Sequence, residues 1–123
     1  MDKYNKTLGA LGEQAAVQYI KKKKYKIIEQ NYRCRAGEID IIAMHKGELV
    51  FIEVKSRRDD AFGTPAEAIT RYKKLNLKQS AQTYLQSHFL DVPARFDIVE
   101  VVGRIVDGKI ITQSVHIIDN AIF

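Results

Sequence analysis

Two runs dense in β-branched and aromatic residues lie between Gly37 and Lys55. They are Gly37-Glu38-Ile39-Asp40-Ile41-Ile42-Ala43 and Leu49-Val50-Phe51-Ile52-Glu53-Val54-Lys55. Both read as strands. Lys46-Gly47 is the best turn between them, with glycine supplying a positive φ. A two-residue loop sets His45 opposite Glu48. Counting outward then sets Asp40 across from Glu53, and Glu38 across from Lys55. Facing residues have Cβ atoms roughly 4.5–5.5 Å apart, where like charges repel. Burying such carboxylates costs several kcal/mol unless each is paired or metal-bound. Two carboxylates meeting on a sheet face therefore ask for a cation.

At 123 residues, the chain suits one compact domain, 1–123, with a single hydrophobic core. No apolar run approaches the roughly 18–20 residues that span a bilayer. Met1 to Lys6 leads into no apolar stretch of the signal-peptide kind, so no membrane partner and a cytoplasmic address are expected. Cys34 is the one cysteine, which excludes an internal disulfide and a multi-cysteine zinc site. His45, His88 and His116 show no ligand spacing. The net charge of +5 permits a polyanionic partner without establishing one.

Leu8 to about Lys23 reads as an amphipathic helix, with Leu8, Leu11, Ala15 and Tyr19 on its apolar stripe and Asn5 or Thr7 as cap. Gly9 and Gly12 are poor helix formers, which close packing of the helix backbone would explain. Glu13 sits at the edge of the stripe, where a solvated carboxylate near a helix N-terminus suffices as a reading. Lys21 to Lys24 close the helix, either as a solvated end or as a phosphate-facing patch. Tyr25 to Tyr32 reads as a first strand. Arg33 and Arg35 share a face around Cys34, which suits packing better than nucleophilic chemistry.

A charged loop, Ser56 to Gly63, follows Lys55 and includes Arg57. Thr64-Pro65-Ala66-Glu67 forms a capping box, so a helix is expected from Pro65 to about Ser87. Ile69, Lys73, Leu77, Ala81 and Leu85 recur every four residues, bringing Lys73 out beside the buried stripe, from which a lysine can snorkel. Arg71, Lys74 and Lys78 make the adjoining surface basic. Arg95 to Val102 reads as a strand in which Asp97 pairs with Arg95 or caps a neighbour. Asp107-Gly108 marks a turn, and Lys109 to Ile118 supplies a last strand or hairpin. Helix, three strands, helix and strand imply a right-handed crossover beside an antiparallel hairpin. The expected fold is α/β, a mixed central sheet flanked by helices.

Asp40 and Glu53, with a backbone carbonyl such as that of Val54, suit Mg²⁺ or Mn²⁺, hard ions that take oxygen ligands and retain waters. Lys55, two residues beyond Glu53 on the same face, can orient a nucleophilic water or stabilise charge on a phosphate. Two acids, a lysine and basic surroundings describe phosphodiester hydrolysis better than carbonyl or redox chemistry.

An acid in the first strand of a hairpin followed by Glu53-Val54-Lys55 resembles the PD-(D/E)xK nuclease superfamily. Gly9-Ala10-Leu11-Gly12-Glu13, Gly37-Glu38-Ile39-Asp40, Phe51 to Lys55, Phe62-Gly63, Lys73 and Arg95-Phe96-Asp97 sharpen this. In that order and spacing they resemble the bacterial YraN-like family, which is similar to Holliday-junction resolvases. The resemblance covers nearly the whole chain, although Ile39 stands where the superfamily motif has proline. It implies a restriction-endonuclease-like α-β-β-β-α-β core and a metal-dependent site of Glu13, Asp40, Glu53 and Lys55. It also implies a branched or structured DNA substrate, by analogy, and a homodimer. Arg33, Arg35, Arg57, Lys73 and Lys74 are the expected DNA contacts. Two other functions compete: a catalytically silent nucleic-acid-binding module, and a purely structural ion-pair cluster.

Overall fold

A computed structural model describes residues 3–59, 70–88 and 90–119. Its elements are α1 (Lys3–Lys22), β1 (Lys26–Cys34), β2 (Gly37–His45), β3 (Glu48–Arg58), α2 (Arg71–Ser87), β4 (Ala94–Val106) and β5 (Lys109–Ile118). The strands form one sheet in the order β1-β2-β3-β4-β5. Only β3 and β4 run parallel; the other neighbours are antiparallel. The fold is thus the expected α/β arrangement, ending in one further strand.

Central strand β3 is buried from Leu49 through Val54, as expected of a strand covered on both faces. On one face, Val50, Ile52 and Val54 pack with Ala16, Val17 and Ile20 of α1. On the other, Leu49 and Phe51 pack with Leu77, Ala81 and Tyr84 of α2. Glu53 falls on the α2 side by alternation, between Phe51 and Lys55.

Helix α1 runs through Asn5 and Thr7, so neither caps it. Its C-terminus closes as a Schellman motif: Tyr25 N–H donates to Ile20 O and Lys24 N–H to Lys21 O, both at 3.0 Å. Lys24 takes the left-handed position, φ 70°, that glycine usually fills. Within the lysine run, Lys23 Nζ lies 5.4 Å from the centre of the Tyr19 ring, a cation–π contact.

The capping box at Thr64 lies outside the described residues, as does Ile69. The observed α2 begins later than Pro65. Thr70 is extended, with φ −79° and ψ 164°, and its side chain accepts from Lys73 N–H. An extended Thr70 prevents one uninterrupted helix from running through this point into Arg71.

A buried polar network braces the sheet on the face opposite Glu53. Asp97 is fully buried and accepts from Tyr25 Oη at 3.0 Å and Arg95 Nε at 3.1 Å. Arg95 also donates to Glu48 Oε1 at 2.9 Å and to His45 Nδ1 at 2.7 Å. The expected Arg95–Asp97 pair is present, and its links run to structural neighbours.

The two helix glycines differ. A Cβ on Gly12 would overlap Ser56 Oγ and come within 2.8 Å of Ser56 Cβ, whereas a Cβ on Gly9 would meet nothing within 4 Å. Close packing therefore explains Gly12 but not Gly9, which corrects the shared explanation. In urea unfolding, Gly12→Ala is expected to lose about 1–3 kcal/mol by overpacking. Gly9→Ala should gain about 0.5–1 kcal/mol from helix propensity.

Candidate active site

The hairpin turn forms as expected, with Lys46 at φ 53° and Gly47 at φ 78° and His45 opposite Glu48. The β2–β3 pairing extends from His45↔Glu48 to Ile41↔Ile52 and stops there. Asp40 and Glu53 are next in the count, but they lie where the strands part rather than within the ladder. The Asp40 side chain takes over a strand's role, its Oδ2 accepting Val54 N–H at 2.8 Å. Ile39 and Ile42 both join the α2-side cluster while Ile41 joins the α1 side, so the alternation of β2 breaks at Asp40. This break also undoes the expected pairing of Glu38 with Lys55. Glu38 is paired in register with Arg33 of β1, and their side chains approach to 3.7 Å.

Glu53 is 5% exposed. Its two oxygens face two lysines: Lys55 Nζ is 3.7 Å from Oε1 and Lys73 Nζ is 3.6 Å from Oε2. Both distances exceed hydrogen-bond length. Glu53 Oε2 has no hydrogen-bond partner among the described residues. Burial, then the charge of Asp40, pushes the Glu53 carboxyl up to about 7, against the pull of Lys73 and Lys55. Burial also raises the Asp40 carboxyl, opposed by the Val54 N–H and by Lys73.

Glu13 projects from α1 beside this pair. Burial, Asp40 and Glu38, in that order, push its carboxyl up to about 7. Asn31 of β1 stands between Glu13 and Glu38. With its amide nitrogen toward the carboxylates, it donates to Glu38 Oε1 at 3.1 Å and to Glu13 Oε1 at 3.2 Å. Neither Asn31 nor the link between Glu13 and Glu38 was legible as part of the site. The available signal was an asparagine inside a strand, where that residue is depleted.

The fold thus gathers Glu13, Asp40, Glu53, Lys55 and Lys73, with Glu38 and Asn31 beside them. The remaining basic candidates are more dispersed. The Arg33 side chain is 78% exposed on β1, Arg35 is exposed in the β1–β2 turn, Arg57 is half-buried on β3 and Lys74 half-buried on α2. Among the described residues, no three His, Cys, Asp or Glu side chains form a metal's ligand set by themselves. No described helix is long and apolar enough to cross a membrane.

A five-stranded mixed sheet between two helices, in the order α-β-β-β-α-β-β, is consistent with a restriction-endonuclease-like fold. In that class of α/β protein, an acid cluster at a strand divergence is the distinguishing local feature here.

The model of the uncharacterised protein family UPF0102 matches residues 12–101, and the chain belongs to that family. It is 48% identical over 103 residues to the UPF0102 protein of Caldanaerobacter subterraneus subsp. tengcongensis, covering 82% of this chain and 84% of that one. It is 49% identical over 100 residues to the UPF0102 protein of Alkaliphilus oremlandii, covering 79% and 86%. The matched span contains Glu13, Asp40, Glu53, Lys55 and Lys73.

Glu13 supplies a test of the electrostatics. Its folded carboxyl holds a proton more tightly than the unfolded one, so its contribution to stability is most favourable below about pH 4.5 and is lost as pH rises to about 7. Glu13→Gln should therefore be neutral in the acid range and stabilising above neutrality. Partial exposure limits the gain to about 1 kcal/mol. Urea unfolding across this range checks both sign and window; equal effects at all pH values would refute the account.

Proposed function

We propose that this protein is a metal-dependent endonuclease of the PD-(D/E)xK superfamily, hydrolysing phosphodiester bonds in branched or structured DNA. One observation carries the reading: the buried Glu53 carboxyl, next to Asp40 and flanked by two lysines, has an oxygen without a hydrogen-bond partner among the described residues. A carboxylate left in that state is costly unless function employs it.

The donor set suits Mg²⁺ or Mn²⁺. Asp40 and Glu53 offer hard oxygens, the Val54 carbonyl is the proposed third, and such ions commonly keep several waters. When bound, the ion would activate a water and polarise a phosphoryl oxygen. Two protein carboxylates suffice for that purpose, so a three-carboxylate cage is not required.

The protein's own groups have distinct roles in this reading. Lys55 orients the attacking water and offsets the negative charge that grows on the phosphate. Lys73, from the opposite side of Glu53, adds a second cation and a phosphate contact. Glu13, poised to exchange a proton near neutrality, assists proton transfer. The water oxygen forms the new bond to phosphorus as the bond to the leaving sugar oxygen breaks. The proton released by the water balances the one gained by the leaving oxygen.

Arg33, Arg35, Arg57, Lys73 and Lys74 would neutralise backbone phosphates, making binding salt-sensitive. The Arg33–Glu38 pair, with Arg33 largely exposed, is weak enough to exchange for a phosphate. Resolving a four-way junction takes two nicks, for which a homodimer would supply two sites.

The test is a panel of branched, flapped and linear DNA incubated with the protein and Mg²⁺ or Mn²⁺. Nicking of branched or flapped substrates is expected. Asp40→Ala, Glu53→Ala and Lys55→Ala should each lower it by about 10²-fold or more, with circular dichroism unchanged. A wild-type protein that binds the ion by calorimetry yet cleaves no substrate would overturn the reading. Salt-sensitive DNA binding that survives Asp40→Ala, without any nicking, would identify a binding module instead.

A further inference from the structure

A strand interior is an unfavourable place for a left-handed residue. Asn31 lies within β1 with φ 54°. It falls between the pairs Gln30↔Ile41 and Tyr32↔Ile39, which puts it opposite Asp40 in the count. Asparagine and aspartate are the side-chain-bearing residues that best tolerate this conformation. Backbone tolerance explains the choice of a small polar residue, but it does not explain where the amide goes.

The amide reaches two carboxylates on different elements, Glu13 of α1 and Glu38 of β2, at 3.2 and 3.1 Å. The reversed amide would set its oxygen against both carboxyl oxygens, acceptor against acceptor whenever the acids are ionised. Glu13 otherwise has anionic neighbours: Asp40 and Glu38 both disfavour its charge. Mutual repulsion would drive a solvent-accessible side chain away from such a cluster. The two N–H groups of a single amide are well matched to hold both acids.

We infer that Asn31 is a positioning residue, whose side-chain amide clamps Glu13 against Glu38 and so keeps Glu13 beside Asp40. Its catalytic consequence rests on the endonuclease reading above; the clamp itself does not. Gly12 settles the α1 backbone against β3, and Asn31 then fixes the direction of the next side chain, Glu13.

The deciding variant is Asn31→Gly, which keeps the left-handed backbone accessible while deleting the amide. It should melt within a few degrees of wild type, whereas kcat for DNA nicking falls about 10–100-fold, the usual range for losing a supporting contact. KM for DNA should change little. In a Glu13→Gln background the same substitution should have almost no additional effect, because the clamp acts through Glu13. A merely structural asparagine would give additive effects instead. NMR of the wild-type protein supplies a readout independent of activity and of the variant's folding. The Asn31 side-chain amide protons should show contacts with the Glu13 and Glu38 methylenes and slowed exchange with water. Absence of those contacts, or undiminished nicking by Asn31→Gly, overturns the proposal. If wild type binds the ion but nicks nothing, the endonuclease reading fails, and the NMR contacts alone decide the clamp.

Discussion

The hydrogen bond from Val54 N–H to the Asp40 carboxylate sets the geometry of the whole site. Ladder pairing between β2 and β3 ends one residue earlier, at Ile41↔Ile52. A backbone donor at a sheet divergence must find another acceptor or remain unpaired at a cost of about 1–3 kcal/mol. Asp40 meets that need with one oxygen. The same interaction fixes its carboxyl next to Glu53, where two like charges would otherwise separate. A structural requirement and a chemical arrangement therefore meet in one side chain. Asp40→Asn retains an acceptor for Val54 but removes a charge, so fold and chemistry separate in that variant.

The helices bring their contributions from opposite faces. Gly12 lets α1 approach β3 at Ser56, and Glu13 follows immediately on the chain. Across the sheet, Thr70 caps α2 and sends Lys73 toward Glu53. The cap thus lies three residues before the lysine that the first turn must aim. A start one residue earlier or later would rotate Lys73 by about 100° around the axis, away from the carboxylate. Precise capping on one face and close backbone approach on the other are what make a compact site from a twisted sheet's splayed end.

Much of this was legible in the chain. The turn at Lys46-Gly47, the buried run of β3, the turn at Asp107-Gly108 and the last strand each rest on local chemistry: φ preference, alternation and β-branching. The pattern of acids also pointed to Asp40 and Glu53 as neighbours. What local patterning did not contain was the end of the ladder. Counting assumes that register persists, but a side chain of suitable length replaced a backbone partner at Asp40, and Glu38 turned to Arg33 instead of Lys55. The start of α2 was hidden for a similar reason. Four-residue periodicity continues from Ile69 to Lys73, so nothing in the apolar stripe marks Thr70 as extended. Asn31 was invisible because its meaning lies in a backbone angle and in two acids distant along the chain.

Two buried charge clusters among the described residues of the sheet differ instructively. On the α1 face, Asp97 has Tyr25 and Arg95 at hydrogen-bond distance, and Arg95 in turn has Glu48 and His45. Such a network satisfies its members and braces β4 against the hairpin. On the α2 face, Glu53 has two lysines just beyond hydrogen-bond distance, an orphaned oxygen and a carboxyl pushed up to about 7. If stability alone governed both sites, the second would be expected to close its gaps as the first does, since the lysines have flexible stems. It stays open instead: Val54 N–H engages one Asp40 oxygen, and Glu53 Oε2 stands 3.6 Å from Lys73 Nζ. A buried acceptor left open beside two lysines is the feature that the proposed ion and phosphate would engage.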